Sequence, residues 1–374
     1  MNSFSGPSAQ SVLTKELLGD IRARAAGYDE RNEFFHEDLD VLREIGYLVP
    51  RSLTQMITDQ RSLAAHAPAT ALGIGMHLTW MGVARDMVAG GHSEFQWILD
   101  EGRQGELFAF GVSEKGNDRV LSDSVTTVTE VPEGFSFYGT KITVSLSPAW
   151  TRMSLLGRLG DEILHGFITR GQEGWSHSAD WNTLGMRATQ SYTTALSGVV
   201  IDRSRLVRRI PVGPNRDPFT VAVFQNFLLL VSSVYAGIAD RALELAVVSA
   251  QEKVSAFEGN EIYAENPDVR WRASDAAIAL DALGPQLATY ARWVDEGVDG
   301  GEKWFRLLSG LKHQSVETGR RVVDQALRIT GGSGYSAGHE LSRLARDVLA
   351  GIYHPSDTEA VHHTVAMNLF SPRS

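Results

Sequence analysis

Gly331-Gly-Ser-Gly-Tyr335, with Leu341-Ser-Arg-Leu-Ala-Arg-Asp347 close behind it, is the stretch on which the reading of this chain turns. Glycine reaches backbone conformations closed to other residues. A cluster of glycines therefore either stops one helix before the next begins or lets the backbone approach a ligand closely. From the residues alone both readings stand. Outward from this stretch the apolar residues recur at helical spacing, upstream over roughly 219–257, 267–297 and 301–330 and downstream over 339–352. A polar loop with Gly259 and Pro267 divides the first two segments. Helices of these lengths bury their apolar stripes best side by side, which predicts an antiparallel four-helix bundle.

Further toward the N-terminus the texture changes. Between about Leu107 and Ile210, short β-branched runs such as Val125-Thr-Thr-Val-Thr129 and Gly198-Val-Val-Ile201 are punctuated by turn residues, among them Pro132-Glu-Gly134. This predicts a small, mostly antiparallel β domain. From Leu13 to Arg103 helical spacing returns, as in Leu39, Leu42, Ile45 and Leu48 and in the strongly apolar stretch Ala69 to Val88. The expected fold class is α+β, mainly α, with an N-terminal helical domain over 1–106, a β domain over 107–215 and a C-terminal helical bundle over 216–374. Without a repeat or flexible linker, the lobes are expected to share interfaces.

Composition narrows the function. The chain has 374 residues, 43% hydrophobic and 21% charged, as in ordinary globular proteins. A formal charge of −10 argues against nucleic acid or an anionic membrane as partner and favours a small-molecule substrate. Cysteine is absent, so thiolate chemistry is excluded and redox chemistry needs a bound cofactor. The first residues lack the basic start and apolar run of a leader, and eighteen uninterrupted apolar residues occur nowhere, which predicts a cytoplasmic protein.

Four stretches in order resemble the acyl-CoA dehydrogenase superfamily along essentially the whole chain. Phe110-Gly-Val-Ser-Glu-Lys-Gly-Asn-Asp118 is similar to the family's (Thr/Ser)-Glu-x-Gly-x-x-Asp segment, and Gly139-Thr-Lys-Ile-Thr-Val-Ser145 to its Gly-x-Lys-x-x-(Ile/Val)-(Ser/Thr) strand. Trp181-Asn-Thr-Leu-Gly-Met-Arg-Ala-Thr-Gln-Ser191 resembles its turn before the last strands, and the Gly331–Asp347 stretch its glycine turn and Arg-Asp helix. The resemblance implies the acyl-CoA dehydrogenase fold and FAD as cofactor. Phe110, Ser113, Thr143, Ser145, Gly331, Gly332 and Ser356 become its contacts, with Ser145 near flavin N5, and a homo-oligomer (dimer or tetramer) is expected. An isoalloxazine ring wants a flat apolar slot with a few hydroxyls at its N5 edge, which suits these residues. The alternative is that the Ser and Thr side chains point to solvent and the glycines only end a helix.

One departure bears on the chemistry. Where acyl-CoA dehydrogenases place their catalytic glutamate after the Arg-Asp helix, this chain reads Gly351-Ile-Tyr-His-Pro-Ser-Asp357. The second place used in the family, at the start of the first bundle helix, reads Val223-Phe-Gln-Asn-Phe-Leu228, also without Asp or Glu. Asp357 and Glu359 lie beyond Pro355, where Ser356 or Asp357 is expected to cap the next helix. A histidine at the base position, His354, is similar to the flavin-dependent monooxygenase branch of dibenzothiophene monooxygenase and the amino-sugar nitrososynthases.

That branch implies reduced flavin, O2 and a C4a-hydroperoxide, an oxygen atom passing to a small-molecule substrate, aromatic or amine, and His354, His77 and Ser145 as catalytic residues. An imidazole there could deprotonate a nucleophile or hydrogen-bond the peroxide. The alternatives are a hydrogen-bonded core histidine for His77 and a helix-terminal one for His354.

The loop Phe257 to Pro267 lacks the Arg-x-x-Phe-Gly pattern by which family members reach FAD on a neighbouring subunit, so FMN, or reduced flavin from a separate reductase, enters as an option. Arg203, Arg205, Arg208 and Arg209 read as a solvated run or a phosphate contact. His362 and His363 without further ligands predict no metal site. Two other functions stay open: α,β-dehydrogenation of an acyl thioester on CoA or a carrier protein, and a flavin-free scaffold.

Overall fold

The computed structural model describes residues 11–256 and 262–370. The predicted end of the first bundle segment at Phe257, with Gly259, lies outside them.

Five helices come first: α1 (Lys15–Arg31), α2 (His36–Glu44), α3 (Leu53–Ala64), α4 (Pro68–Ala89) and α5 (Gln96–Arg103). Thr14 starts α1 by accepting the Leu17 N–H, and Asn32 ends it in the left-handed conformation at φ 54°. Pro68 opens α4, where its missing N–H costs nothing. This helix is apolar on every side and buried from Thr70 through Ala84, as a central core helix must be.

The β strands follow: β1 (Phe108–Gly111), β2 (Thr127–Val131), β3 (Gly134–Val144), β4 (Arg152–Leu159), β5 (Glu162–Thr169), β6 (Trp175–Ser178), β7 (Tyr192–Asp202) and β8 (Leu206–Pro211). They form one sheet in the order β6-β7-β3-β2-β4-β5-β8, with β1 added against β4. All pairs are antiparallel except β1–β4 and the short β2–β4 contact.

The remaining helices are α6 (Pro218–Glu252), α7 (Pro267–Asp281), α8 (Leu283–Asp295), α9 (Trp304–Thr330), α10 (Glu340–Asp347) and α11 (Thr358–Phe370). The segment predicted as one helix over 267–297 is two, α7 and α8. Pro285 has no N–H for the Asp281 carbonyl, so the ladder resets at Ala282. The segment predicted over 339–352 is α10 followed by a tighter 3-10 turn, Val348–Ile352. Asp357 caps α11 through Oδ1, which accepts the Ala360 N–H at 2.8 Å.

α6 is the axis of the molecule. It packs against α3 and α4 of the first lobe on one side and against α7, α8 and α9 on the other, so one apolar core runs through both helical lobes and into the sheet. Its length and hydropathy would suit a membrane span, yet 78% of its most apolar window is buried within the protein. The fold is mainly helical around an eight-stranded sheet.

Candidate active site

The first two motifs hold each other. Glu114 and Lys141 form a fully buried ion pair at 2.7 Å, and Lys141 also donates to the Leu156 carbonyl at 2.6 Å. The remaining lone pairs of Glu114 accept from the Ser124 hydroxyl, the Val125 and Thr126 N–H groups and the Asn117 amide. Burial opposes the carboxylate's charge, but Lys141 and these donors outweigh it and hold Glu114 well below the usual carboxylate range. The pair pins the 111–126 loop to β3 immediately before Thr143 and Ser145.

The third and fourth motifs form a second clamp. Asp347, buried at the end of α10, accepts the Met186 N–H at 2.6 Å, and Arg346 bridges Asp29 of α1 and the Leu184 carbonyl. Burial, partly opposed by Arg343, raises the Asp347 carboxyl to about 6. Gly185 is required here, because a Cβ would lie 2.3 Å from the Arg346 carbonyl oxygen. The turn fixed in this way carries a chain of hydroxyls. Thr189 Oγ1 donates to the Met186 carbonyl at 2.8 Å, and Ser191 Oγ lies 2.8 Å from both Thr189 Oγ1 and Ser145 Oγ. Each hydroxyl has one proton. With that of Thr189 on Met186, Ser191 donates to Thr189 and Ser145 donates to Ser191. Ser145 is thereby left with lone pairs to offer a ligand.

The turn after α10 is built around a buried lysine. Lys312 of α9 donates to the carbonyls of Gly351, His354 and Ser356 at 2.9, 2.9 and 2.6 Å. The His354 ring meets Tyr235 of α6, with Nδ1 3.0 Å from the phenol oxygen. Tyr235 is buried, and burial with the nearby Asp347 carboxylate raises its pKa well above the ordinary value, so it keeps its proton. That proton is satisfied by donation to Nδ1, which places the His354 proton on Nε2. Burial of the ring, helped by the Lys312 charge, pushes the imidazole down to about 3, although the residue keeps a partly exposed surface. Among the described residues Nε2 has no hydrogen-bond partner.

For His77 the geometry replaces the catalytic expectation by a structural one. Nδ1 accepts the Phe108 N–H at 3.1 Å and Nε2–H donates to the Leu48 carbonyl at 2.8 Å, so both ring nitrogens are engaged. Burial lowers its pKa to about 4. His77 therefore staples α4 to β1 as a neutral imidazole. No hydrogen bond or ring contact joins any two of His77, Ser145 and His354 among the described residues.

The other predicted contacts are not gathered in one place: Phe110 lies against the first part of α6, whereas Gly331 lies beside Lys253 at its far end. Phe110 stacks on Phe227 of α6, centroids 5.5 Å apart and planes 11° from parallel, and meets Trp80 of α4 at 5.5 Å. Ser113 is half-buried and its carbonyl accepts the Ile142 N–H. Thr143 is exposed at φ 53°, its hydroxyl bonded to the neighbouring Ile142 carbonyl. Gly331 ends α9 at φ 67°, a conformation that favours glycine, and Gly332 faces open space. Ser356 enters through its carbonyl on Lys312.

Sequence reasoning missed Thr189 and Ser191 as a chain, although both stood inside a quoted motif. It also missed Tyr235 and Lys312. Lys312 carried a legible signal, a charged residue in phase with the buried Leu308, Leu311, Ser315 and Val316. Tyr235 carried none, being one apolar residue among many in α6.

Residues 229–357 match the family model "Acyl-CoA dehydrogenase, C-terminal domain". Residues 229–357 thus carry an acyl-CoA dehydrogenase C-terminal domain. The chain is 26% identical over 368 residues to YdbM of Bacillus subtilis (strain 168), whose acyl-CoA dehydrogenase name is provisional, covering 95% of this chain and 94% of YdbM. It is 28% identical over 244 residues to the L-evernosamine nitrososynthase of Micromonospora sp. (strain ATCC 39149 / NRRL 15099 / SCC 1413), covering 62% of this chain and 57% of that protein. The fold superposes on KijD3, solved with FMN and a dTDP-linked amino keto sugar, at a TM-score of 0.84 and 22% identity, with 96% of this chain and 92% of KijD3 covered.

Proposed function

We propose that this protein is a flavin-dependent monooxygenase that uses reduced flavin, FMN or FAD, and O2 to oxygenate a small amine-bearing or aromatic substrate at the seam of the three lobes. The observation that carries this is the chemistry of the two places where a dehydrogenase of this superfamily holds its base. In the turn after α10, Asp357 is the cap of α11 and His354 is a neutral imidazole whose Nε2 has no partner among the described residues. At the start of α6, the nearby carboxylate is Asp86 of α4, which is held by Arg85, Gln225 and Asn226. Among the described residues neither place offers a free carboxylate to remove an α-proton.

The residues present fit a flavin. Ser145 offers lone pairs, which suit the N5–H of the reduced ring better than the bare N5 of the oxidised ring. Phe110, Phe227 and Trp80 give an apolar wall that excludes water. Bound in this seam, reduced flavin supplies the two electrons by which O2 yields one inserted oxygen atom and one water. His354, with its conjugate acid near 3, is too weak a base to deprotonate substrate at neutral pH; it acts instead as an Nε2–H donor to negative charge on oxygen. A relative named for nitroso synthesis and KijD3 with its bound amino sugar support an amine as the oxidised group.

The test is O2 consumption with anaerobically prepared reduced flavin across amines and aromatics. The expected result is substrate-dependent O2 uptake and oxygenated product, reduced about a hundredfold in His354→Ala and less in His354→Gln, which keeps an N–H donor. Free peroxide alone across the panel would falsify the proposal. The near-full-length match to YdbM supports a second reading, acyl-thioester dehydrogenation. Anaerobic bleaching of bound flavin by an acyl thioester would establish it instead.

A further inference from the structure

Lys312 sits on the buried face of α9, 2% exposed, where a lysine is otherwise out of place. Among the described residues no carboxylate lies within ion-pair distance of it. Its partners are three carbonyl oxygens, all from the turn that carries His354: Gly351 before it, His354 itself and Ser356 after it. An ammonium has three donors, and all three are used. A point charge held by three converging carbonyl dipoles fixes a turn much as a bound cation does.

We propose that Lys312 is the positioning residue of the His354 turn, an internal cation that gathers three of its carbonyl oxygens and so sets where the imidazole sits. Two geometric facts support the coupling. The carbonyl of His354 is itself one of the three acceptors, so the residue is held by its own backbone. On its other side Tyr235 fixes the ring through Nδ1. Between them, backbone and ring have one orientation, with Nε2 directed away from both.

The charged and titratable groups around the turn are Tyr235 of α6, Lys312, His313 and Glu317 of α9, Asp347 at the end of α10, Asp357 before α11 and His362 on α11. Burial lowers Lys312 to about 8, with Asp357 and Glu317 opposing, so it remains mostly a cation at neutral pH. That cation opposes protonation of His354, and together with burial keeps the imidazole neutral. The proposal rests on the reading of His354 as a functional donor, but its test reads the turn and the imidazole directly.

The experiment is 15N imidazole NMR of His354, assigned through His354→Gln, with hydrogen exchange of the 351–357 amides, in the wild type, Lys312→Met and Lys312→Gln. Gln keeps donors for the carbonyls and removes the charge. In the wild type His354 does not protonate between pH 8 and about 5, since its pKa lies near 3. With the titration carried down to about pH 3, its midpoint rises in both variants by about one pH unit, a tenfold change in proton affinity. Turn exchange accelerates about tenfold or more in Met and less in Gln, while exchange in α4 and the sheet is unchanged. An unchanged midpoint and unchanged turn exchange would overturn the proposal. So would failure of both variants to fold, which would make Lys312 a determinant of the whole bundle instead of one turn. If His354→Ala keeps full turnover while these signals shift, the functional reading fails and the positioning role stands. The reverse pattern removes only the positioning role.

Discussion

Ser191 determines the direction of the hydroxyl chain that ends at Ser145. In Ser191→Ala the Ser145 proton loses its acceptor and is free to turn toward a ligand, so the side chain changes from an acceptor into a donor. Oxidised flavin, with a bare N5, gains from that change, and reduced flavin, with an N5–H, loses. One neutral hydrogen bond contributes about 1 kcal/mol, so the ratio of the two dissociation constants should move by about fivefold to tenfold toward the oxidised form. Anaerobic titration of both redox forms measures it, and a constant ratio would remove the assigned polarity. The same counting of protons separates the two histidines. Both nitrogens of His77 end on backbone, whereas among the described residues His354 keeps one nitrogen without a partner, and only the second has an atom to offer chemistry.

At the scale of elements, the motifs act mostly on one another. Glu114 and Lys141 tie a loop to β3, and Asp347 ties α10 to the turn of Met186. Lys141→Met should destabilise the protein by about 3–5 kcal/mol, because it leaves Glu114 buried and unpaired. The double variant Glu114→Gln with Lys141→Met should recover part of that loss, since no isolated charge remains. Chemical denaturation of the single and double variants decides it: equal losses would mean that the pair does not act as a unit. This explains how the sequence could be legible in outline and opaque at the site. Helical period and β-branched runs mark the order of elements because burial imposes them locally. The division of 267–297 needed attention to Pro285, whose effect falls on a carbonyl four residues away. Tyr235 and Lys312 approach His354 across 119 and 42 residues of sequence, and no local pattern encodes a meeting of that kind.

For the molecule as a whole, buried titratable groups set the response to acid. Burial lowers His77 to about 4 and His165 and His354 to about 3. A group with a lowered folded-state pKa contributes stability that is present above its unfolded value of about 6.5 and is lost as pH falls toward the folded value. Asp38 and Asp347, raised to about 6 chiefly by burial, act in the opposite sense: their contribution is present at low pH and lost as pH rises through 6. The histidines are more numerous and more strongly shifted. The melting temperature should therefore fall between pH 7 and pH 5, with a shallower fall in His165→Gln. Calorimetry across that range checks the sign, and a melting temperature that rises on acidification would contradict it.

The axial helix α6 has a consequence for how the chain is made. During synthesis its partners α3 and α4 have already emerged and can cover one side. Its most extensive neighbour, α9, ends at Thr330, roughly 80 residues after α6 is complete. At about 5–20 residues per second that interval is roughly 4–16 s. Throughout it the nascent polypeptide exposes an apolar surface with the hydropathy of a membrane span. Hydrophobic-segment chaperones and the insertion machinery recognise such surfaces, so the yield of folded protein depends on how quickly the last third of the chain arrives to cover it.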